Sequence, residues 1–227
     1  MEIVKKGNLI IIQLAGTLVF YLVIFLSAGR VNYWQGWIYA VIGVVMTVLT
    51  YTVFSMSREL MDERSKPGAG AKKWDKAILA YSALMLVAMF VVAGLDSGRF
   101  HWSPRFHWSL YLLGVIFTVA GQLLFIVAQN QNKFFSSVVR IQSERGHTVY
   151  KDGLYKIVRH PAYLGNFIQT LGFPLLFGSL WSIIPVVISI ILLLIRTQLE
   201  DKTLVNELDG YRQYTGETRY KIIPYIW

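Results

Sequence analysis

The sequence predicts an all-α integral membrane protein with about six transmembrane helices. Hydrophobic residues make up 55% of the 227 residues and charged residues only 15%, which is too apolar for a soluble domain of this length. The apolar residues also gather in runs of roughly 17 to 25, the length that a helix needs to cross about 30 Å of hydrocarbon.

We place the six runs at about residues 8–28, 34–56, 77–95, 108–129, 161–178 and 181–195. None of them contains Asp, Glu, Lys or Arg. This matters because a charge at the bilayer centre costs about 2.5–3.5 kcal/mol. Only Gly178, Ser179 and Leu180 connect the fifth run to the sixth, so we expect a tight antiparallel hairpin there.

The distribution of basic residues predicts the orientation of these helices. Basic residues are frequent between positions 58 and 76 and between 133 and 159, but sparse in the loops after the first and third runs. Because basic loops stay on the cytoplasmic side, we expect both termini and the two basic loops to be cytoplasmic. This asymmetry accounts for most of the formal net charge of +9, so the basic character does not predict nucleic-acid binding.

The sequence predicts no metal site. It contains no cysteine, which excludes disulfides, thiolate nucleophiles and metal sites with cysteine ligands. A site made of histidines alone is not expected either. The predicted orientation places His101 and His107 on the opposite side of the membrane from His147 and His160.

Residues 131–160 form the most informative connection in the chain. Connections between packed helices usually have about 2–8 residues, so a longer one indicates either function or disorder. The segment contains too many apolar residues for a disordered tail. Phe135, Val138, Val139 and Gln142 have helical spacing, which predicts a short amphipathic helix on the membrane surface. We therefore expect a folded cytoplasmic cap.

Four polar residues at the ends of the last two runs predict a pocket at the cytoplasmic face. Pro161 fits the first turn of a helix, so Arg159 and His160 lie just before it, beside N–H groups that can bind an anion. Arg196 and Glu200 follow the sixth run one helical turn apart, where they can form an ion pair. The hairpin brings its two ends to the same depth, so all four can line one pocket. The alternative is an ordinary polar cap on a membrane helix.

A series of short motifs occupies the C-terminal two fifths of the chain. They are Asn132-Lys-Phe134-Phe135, Gln142, Gly146-His147-Thr148-Val149, Gly153-Leu-Tyr155, Arg159-His160-Pro161-Ala-Tyr163-Leu-Gly165, Arg196-x-x-x-Glu200-Asp201, Tyr211-x-x-Tyr214 and Ile223-Pro224. Residues 130–227 thereby resemble the isoprenylcysteine carboxyl methyltransferase family and are similar to the related phospholipid methyltransferases. We accordingly divide the chain into four N-terminal transmembrane helices, residues 1–130, and a methyltransferase-like region, residues 131–227.

The resemblance implies an S-adenosylmethionine-dependent methyltransferase whose cofactor pocket opens to the cytosol and meets a lipid-accessible tunnel. It assigns cofactor contacts to Gln142, His147, Thr148, Val149, Tyr150, Tyr155, His160, Pro161, Ala162, Tyr163 and Glu200. It also implies that Arg196 holds the substrate and that Arg196 and Glu200 are the catalytic pair. Two positions depart from the family pattern: Asp201 stands where the family has a second glutamate, and Leu154 where it often has proline.

These residue types suit the parts of the cofactor and of an acceptor. Glu200 can pair with the ammonium, His160 and backbone N–H groups can receive the carboxylate, and Tyr155 or Tyr163 can pack on the adenine. Arg196 can orient a carboxylate or phosphate of the acceptor. A carboxylate acceptor needs no base, whereas an amine would need Glu200 to remove a proton. The implied acceptor is a lipophilic or lipidated molecule in the membrane, such as the carboxylate of an isoprenylcysteine.

Two other functions remain open from the sequence. A membrane reductase of sterol or isoprenoid double bonds would bind NADPH, whose 2′-phosphate Arg145, Lys151 and Lys156 can recognise, although no GxGxxG motif is present. A non-catalytic membrane subunit would not need so many polar residues in one cap. The four tyrosines of the motifs also suit anchors at the membrane interface, and His147 suits an ordinary surface position.

Overall fold

Helices account for all the regular secondary structure in the described part of the chain. A computed structural model of the protein describes residues 2–54, 56–65 and 70–227. Its eight α-helices are α1 (Glu2–Ala28), α2 (Trp34–Thr52), α3 (Arg58–Ser65), α4 (Lys73–Ala93), α5 (Trp108–Gln131), α6 (Pro161–Phe177), α7 (Ile183–Glu207) and α8 (Tyr211–Glu217). A π-helical segment, Gly94–Phe100, extends α4, and two 3₁₀ turns, Ser143–Arg145 and Gly153–Lys156, lie between α5 and α6. The prediction of an all-α protein is confirmed.

Four helices within these residues are long and apolar enough to cross a membrane. They are Trp34–Thr52, Lys73–Phe100, Trp108–Gln131 and Ile183–Glu207. These helices indicate an integral membrane protein. The presence of six transmembrane helices stays a prediction. Helices α1 and α6 cover the first and fifth predicted runs, and α6 has only 17 residues.

Helix α7 does not end where its apolar run ends. It continues past Ile195 to Glu207. Its last turns are polar and carry Arg196, Glu200 and Asp201, so these side chains project from a regular helix. Their positions relative to one another are consequently fixed by helical geometry.

The amphipathic helix predicted around residues 135–142 is wrong, because residues 132–142 contain no helix. Other partners take the polar groups that a helix would pair internally. The side-chain amide of Gln142 donates to the carbonyl of Phe134 at 2.6 Å, and the amide of Val139 donates to Asp75 at 2.8 Å. Asn132 accepts from the amide of Phe134 at 2.9 Å. Side chains thus compete successfully with local helix formation.

Aromatic side chains form the core that holds α6 against the N-terminal helices. Tyr33, Phe90 and Phe177 are completely buried. The rings of Phe90 and Phe177 meet edge to face at 5.9 Å, and Tyr39 contacts both of them. Pairs of this kind contribute about 0.5–1.5 kcal/mol beyond their burial, so this cluster fixes the position of α6.

Four glycines bring the backbones of α5 and α6 into direct contact. A Cβ atom on Gly121 would lie 2.5 Å from the carbonyl oxygen of Gly165, and one on Gly114 would lie 2.2 Å from the amide nitrogen of Leu176. A Cβ atom on Gly172 would meet the carbonyl oxygen of Gly114 at 2.9 Å. Contact positions rise along α5 as they fall along α6, so the helices are antiparallel. The segment from 132 to 160 therefore returns to the end of the bundle that it leaves.

Candidate functional site

A cavity of about 270 Å³ lies between the segment 132–160, the start of α6, the polar end of α7 and α8. Ten of the residues predicted from the sequence line it. They are His147, Thr148, Val149, Tyr150, Tyr155, His160, Ala162, Tyr163, Arg196 and Glu200. The cavity thus brings together residues from the start of α6, the end of α7 and the connection that precedes α6.

Two predicted cofactor contacts, Gln142 and Pro161, do not line this cavity. Gln142 is completely buried, and its side chain bonds to the Phe134 carbonyl and accepts from Arg145. It therefore holds the shape of the connection. Pro161 begins α6, where its missing N–H leaves no unsatisfied donor.

Arg159 faces the cavity but its donors are already engaged. Its Nε and Nη2 donate to the two oxygens of Asp201 at 2.8 and 2.9 Å. Its Nη1 donates to the carbonyls of Thr218 and Arg219 at 2.8 and 2.7 Å. Burial alone would lower the pKa of Arg159, but the contact with Asp201 raises it. Arg159 therefore attaches the C-terminal tail to α7 rather than presenting free donors to a ligand.

His160 is fixed by the same carboxylate and by the tail. Its Nε2 lies 3.3 Å from Oδ1 of Asp201, which also accepts from the hydroxyl of Tyr211 at 3.1 Å. The backbone amide of His160 donates to the carbonyl of Lys221 at 2.8 Å, so this N–H is not available to a ligand. The imidazole stacks on the ring of Tyr163, with centroids 5.6 Å apart.

Tyr163 contacts both Arg196 and Glu200 of α7. Its hydroxyl donates to Oε2 of Glu200, and the guanidinium of Arg196 lies 5.3 Å from its ring centre. The other oxygen of Glu200 has no hydrogen bond to any residue that the structure describes. A carboxylate oxygen is thus left available at the cavity wall.

Arg196 pairs with a residue that sequence reasoning missed. Its Nε donates to Asp75 at 2.7 Å and its Nη2 to the carbonyl of Ser137 at 3.2 Å, so the ion pair expected with Glu200 is replaced. Asp75 lies in the first turn of α4 and is fully buried, so its carboxylate depends on partners within the protein, and Arg196 is one of them. The Nη1 of Arg196 remains without a hydrogen-bond partner among the described residues.

Glu63 was also missed. It accepts from Arg140 at 2.6 and 3.0 Å and from the hydroxyl of Ser136 at 2.7 Å, which attaches the connection to α3. Burial would raise the pKa of Glu63, but these hydrogen bonds lower it. The sequence carried no signal for Asp75 or Glu63 beyond their charge, because no motif covers the N-terminal half.

The motif tyrosines are buried in the protein rather than exposed at a membrane interface. Tyr155 donates to the carbonyl of Ala128 at 3.2 Å, and Tyr214 donates to the carbonyl of Tyr155 at 2.6 Å. Burial raises the pKa of Tyr155 and raises that of Tyr214 to about 12. Both hydroxyls consequently act as neutral donors that connect α5, the 3₁₀ turn and α8.

His147 is a neutral residue of the cavity wall. Its Nδ1 accepts from the amide of Gln142 at 3.3 Å, and its ring lies 4.6 Å from that of Phe134. Burial, assisted by the charges of Arg140 and Arg145, lowers the pKa of His147 to about 4. At neutral pH its proton is therefore on Nε2.

Comparison with known proteins identifies relatives of this region. Residues 110–206 match the model of the isoprenylcysteine carboxyl methyltransferase (ICMT) family. The protein-S-isoprenylcysteine O-methyltransferase of Schizosaccharomyces pombe is 36% identical over 80 residues, which is 34% of each chain. Protein-S-isoprenylcysteine O-methyltransferase B of Arabidopsis thaliana is 30% identical over 67 residues, 29% of this chain and 34% of the relative.

The chain covers only about a third of the length of these relatives, 34% in both cases. The family match starts earlier than the motifs suggested, within α5, and stops before α8. It includes the start of α6 and residues 196–201 of α7, which border the cavity. The predicted resemblance is therefore confirmed, and residues 110–206 match the isoprenylcysteine carboxyl methyltransferase family.

Proposed function

We propose that this protein is an integral membrane S-adenosylmethionine-dependent methyltransferase that acts on a lipophilic acceptor, the carboxylate of an isoprenylcysteine-like or other isoprenoid or lipid molecule. One observation carries the proposal: ten residues that the family resemblance assigns to the cofactor or the acceptor line a single cavity. The names of the matched relatives support the same reaction class.

The donor set of the cavity fits the cofactor. The free oxygen of Glu200 suits an ammonium group, and the start of α6 beside His160 favours a carboxylate through the helix dipole. Val149 and Leu208 line the cavity together with Tyr150, so an apolar and aromatic surface is available for a nucleoside base. The cavity lining therefore offers matching contacts for both the charged and the apolar parts of S-adenosylmethionine.

The chain's own residues account for binding and orientation. When bound, S-adenosylmethionine would supply a methyl group from its sulfonium: an acceptor oxygen would form the new bond to the methyl carbon, and the electron pair of the broken C–S bond would stay on sulfur. The free Nη1 of Arg196 orients the acceptor, and Tyr163 holds Glu200 in place beside it. A carboxylate acceptor needs no general base, so exclusion of water and alignment provide most of the rate.

The proposed orientation in the membrane places this cavity in a cytoplasmic cap built largely from residues 131–227. Tyr163 near the start of α6 meets Glu200 near the end of α7, which supports an antiparallel hairpin. The two basic loops, between 58 and 76 and between 133 and 159, contribute to the same end of the bundle, since the backbone N–H of Lys72 donates to the carbonyl of Val139. By the positive-inside rule this end, and both termini, are cytoplasmic.

The positions of the residues that could recognise the 2′-phosphate of NADPH do not favour the alternative function of a reductase. Arg145, Lys151 and Lys156 do not line the cavity. Each is instead within salt-bridge distance of a carboxylate: Glu59 at 3.4 Å, Glu217 at 3.0 Å and Asp152 at 3.2 Å respectively.

A ligand titration of the detergent-solubilised protein tests the proposal. We expect S-adenosylhomocysteine to raise the melting temperature and NADPH to leave it unchanged. Glu200→Gln should weaken S-adenosylhomocysteine binding at least tenfold, because an amide cannot neutralise an ammonium. Glu217→Gln, an exposed acid that does not line the cavity, is the matched control and should bind normally. A response to NADPH alone would overturn the proposal.

A further inference from the structure

Four arginines line the cavity, and three of them already have a carboxylate partner. The pairs are Arg140 with Glu63, Arg159 with Asp201 and Arg196 with Asp75. Arg64, near the end of α3, has no carboxylate within salt-bridge distance in the described part of the chain. It is therefore the lining arginine whose charge is not neutralised there.

The surroundings of Arg64 are neutral and aromatic. Its Nη1 donates to the side-chain oxygen of Gln129, and its guanidinium carbon lies 5.9 Å from the ring centres of both Phe125 and Phe135. Burial lowers the pKa of Arg64 from its ordinary value. A cation that loses water without gaining a counter-ion is destabilised, so an anion in the cavity would be bound favourably at this position.

The other charged groups do not supply this attraction. Asp75 already neutralises Arg196, so a carboxylate at the free Nη1 of Arg196 gains a directed hydrogen bond but little net charge. Glu200 contributes a negative charge to the same wall, which suits a cation. Among the described residues that line the cavity, Glu200 is thus a carboxylate without an ion-pair partner and Arg64 is a guanidinium without one.

Building on the proposed methyltransferase function, we propose that Arg64 selects an anionic acceptor, binding its carboxylate while Phe125 and Phe135 contact the apolar chain attached to it. In this arrangement Arg196 orients the acceptor carboxylate by a hydrogen bond, and Arg64 attracts it electrostatically. Arg64 lies outside the segment that matches the family, so the family match does not assign this role. A phosphate monoester presents similar anionic oxygens, and a comparison of carboxylate and phosphate probes distinguishes these two ligands.

Binding of matched probes tests the role of Arg64 without relying on turnover. The probes are N-acetyl-S-farnesylcysteine, its uncharged carboxamide and farnesyl monophosphate, added to the solubilised full chain and followed by tryptophan fluorescence. We expect the wild type to bind the carboxylate at least tenfold more tightly than the carboxamide. Arg64→Gln should reduce this ratio towards one, and Arg64→Lys should keep part of it. Tighter binding of the phosphate would keep the anion site and identify phosphate as its ligand.

Two controls separate this inference from the proposed function. Arg105→Gln removes an exposed arginine that does not line the cavity and should leave the ratio unchanged. S-adenosylhomocysteine should bind Arg64→Gln as it binds the wild type. If Arg64→Gln keeps the full preference for the carboxylate, or if the wild type has none, the role of Arg64 is rejected even where S-adenosylhomocysteine binds. If S-adenosylhomocysteine does not bind, the proposed function fails, and the probe ratio still decides the anion site.

Discussion

The two ends of the helix bundle satisfy their buried aspartates in different ways. At the cavity end, Asp201 accepts two hydrogen bonds from Arg159, and Asp75 accepts from Arg196. At the other end, Asp96 accepts from the amide and the hydroxyl of Ser103 at 2.7 and 2.6 Å, and from the hydroxyl of Ser179 at 2.6 Å. No cation lies within salt-bridge distance of Asp96 among the described residues.

The difference distinguishes a structural junction between two loops, at Asp96, from a candidate ligand-binding site, at the cavity. Hydroxyl and amide donors close around Asp96 and join the loop after the π-helical segment to the loop before α7, and none of these residues lines the cavity. Ion pairs at the cavity end instead hold arginines whose side chains line an open space, so breaking one of these pairs changes the surface that a ligand meets. We therefore expect substitutions at the two ends to differ in their effect on binding even where both reduce stability.

Asp201→Asn should have the largest effect. It removes the partner of Arg159 and leaves a buried guanidinium uncompensated, which costs about 3–5 kcal/mol. It also loosens His160 and Tyr211, so S-adenosylhomocysteine binding should fall with stability. Thermal unfolding and calorimetric titration of the same sample measure both quantities. Normal ligand affinity in a destabilised Asp201→Asn protein would show that this carboxylate belongs to a junction, as Asp96 does.

Asp75→Asn should have an intermediate effect on stability and a selective effect on ligands. Arg196 is partly open to the cavity, so the loss is about 1–3 kcal/mol, the cost of a poorly satisfied buried polar group. Because Asp75 orients Arg196 but does not line the cavity, acceptor binding should weaken more than S-adenosylhomocysteine binding. Equal loss for both ligands would place Asp75 among the purely structural residues.

Asp96→Asn should reduce stability without changing ligand binding. The amide keeps one acceptor oxygen but cannot accept all three hydrogen bonds, which again costs about 1–3 kcal/mol. Ser179→Ala removes one of the same donors and serves as a milder version. Chemical denaturation gives the stability of both variants. A change in the affinity for S-adenosylhomocysteine would mean that the two ends are coupled.

The smallest expected effect is a dependence of stability on pH at the cavity end. The folded protein holds the pKa of His147 near 4, below its value of about 6.5 in an unfolded chain, so the unfolded state binds more protons between these values. Stability should therefore fall as the pH falls from about 6.5 to 4, by about 1 kcal/mol given the partial exposure of the ring. Melting curves of wild type and His147→Asn over this range measure it, and parallel curves would contradict the assignment.

The sequence predicted the six longest helices and much of the cavity, but not α3 or α8, for identifiable reasons. Apolar runs fix where membrane helices lie, and the motif around His160 and Glu200 fixes residues that regular helices α6 and α7 bring together. Asp75 could not be predicted, because its partner Arg196 is 121 positions away and no local pattern connects them. The false helix at 135–142 arose because periodicity carries no information about a side chain such as Gln142 that binds the backbone.

The glycine contact between α5 and α6 restricts how the cavity can change shape. Gly114 and Gly121 are seven positions apart, as are Gly165 and Gly172. A sliding movement of one helix by a turn, about 5.4 Å, would displace both close contacts at once and force side chains into the opposite backbone. Piston-like motion of this pair is therefore blocked, so a change in the shape of the cavity would have to come from elements outside this contact, such as α7 or residues 132–159.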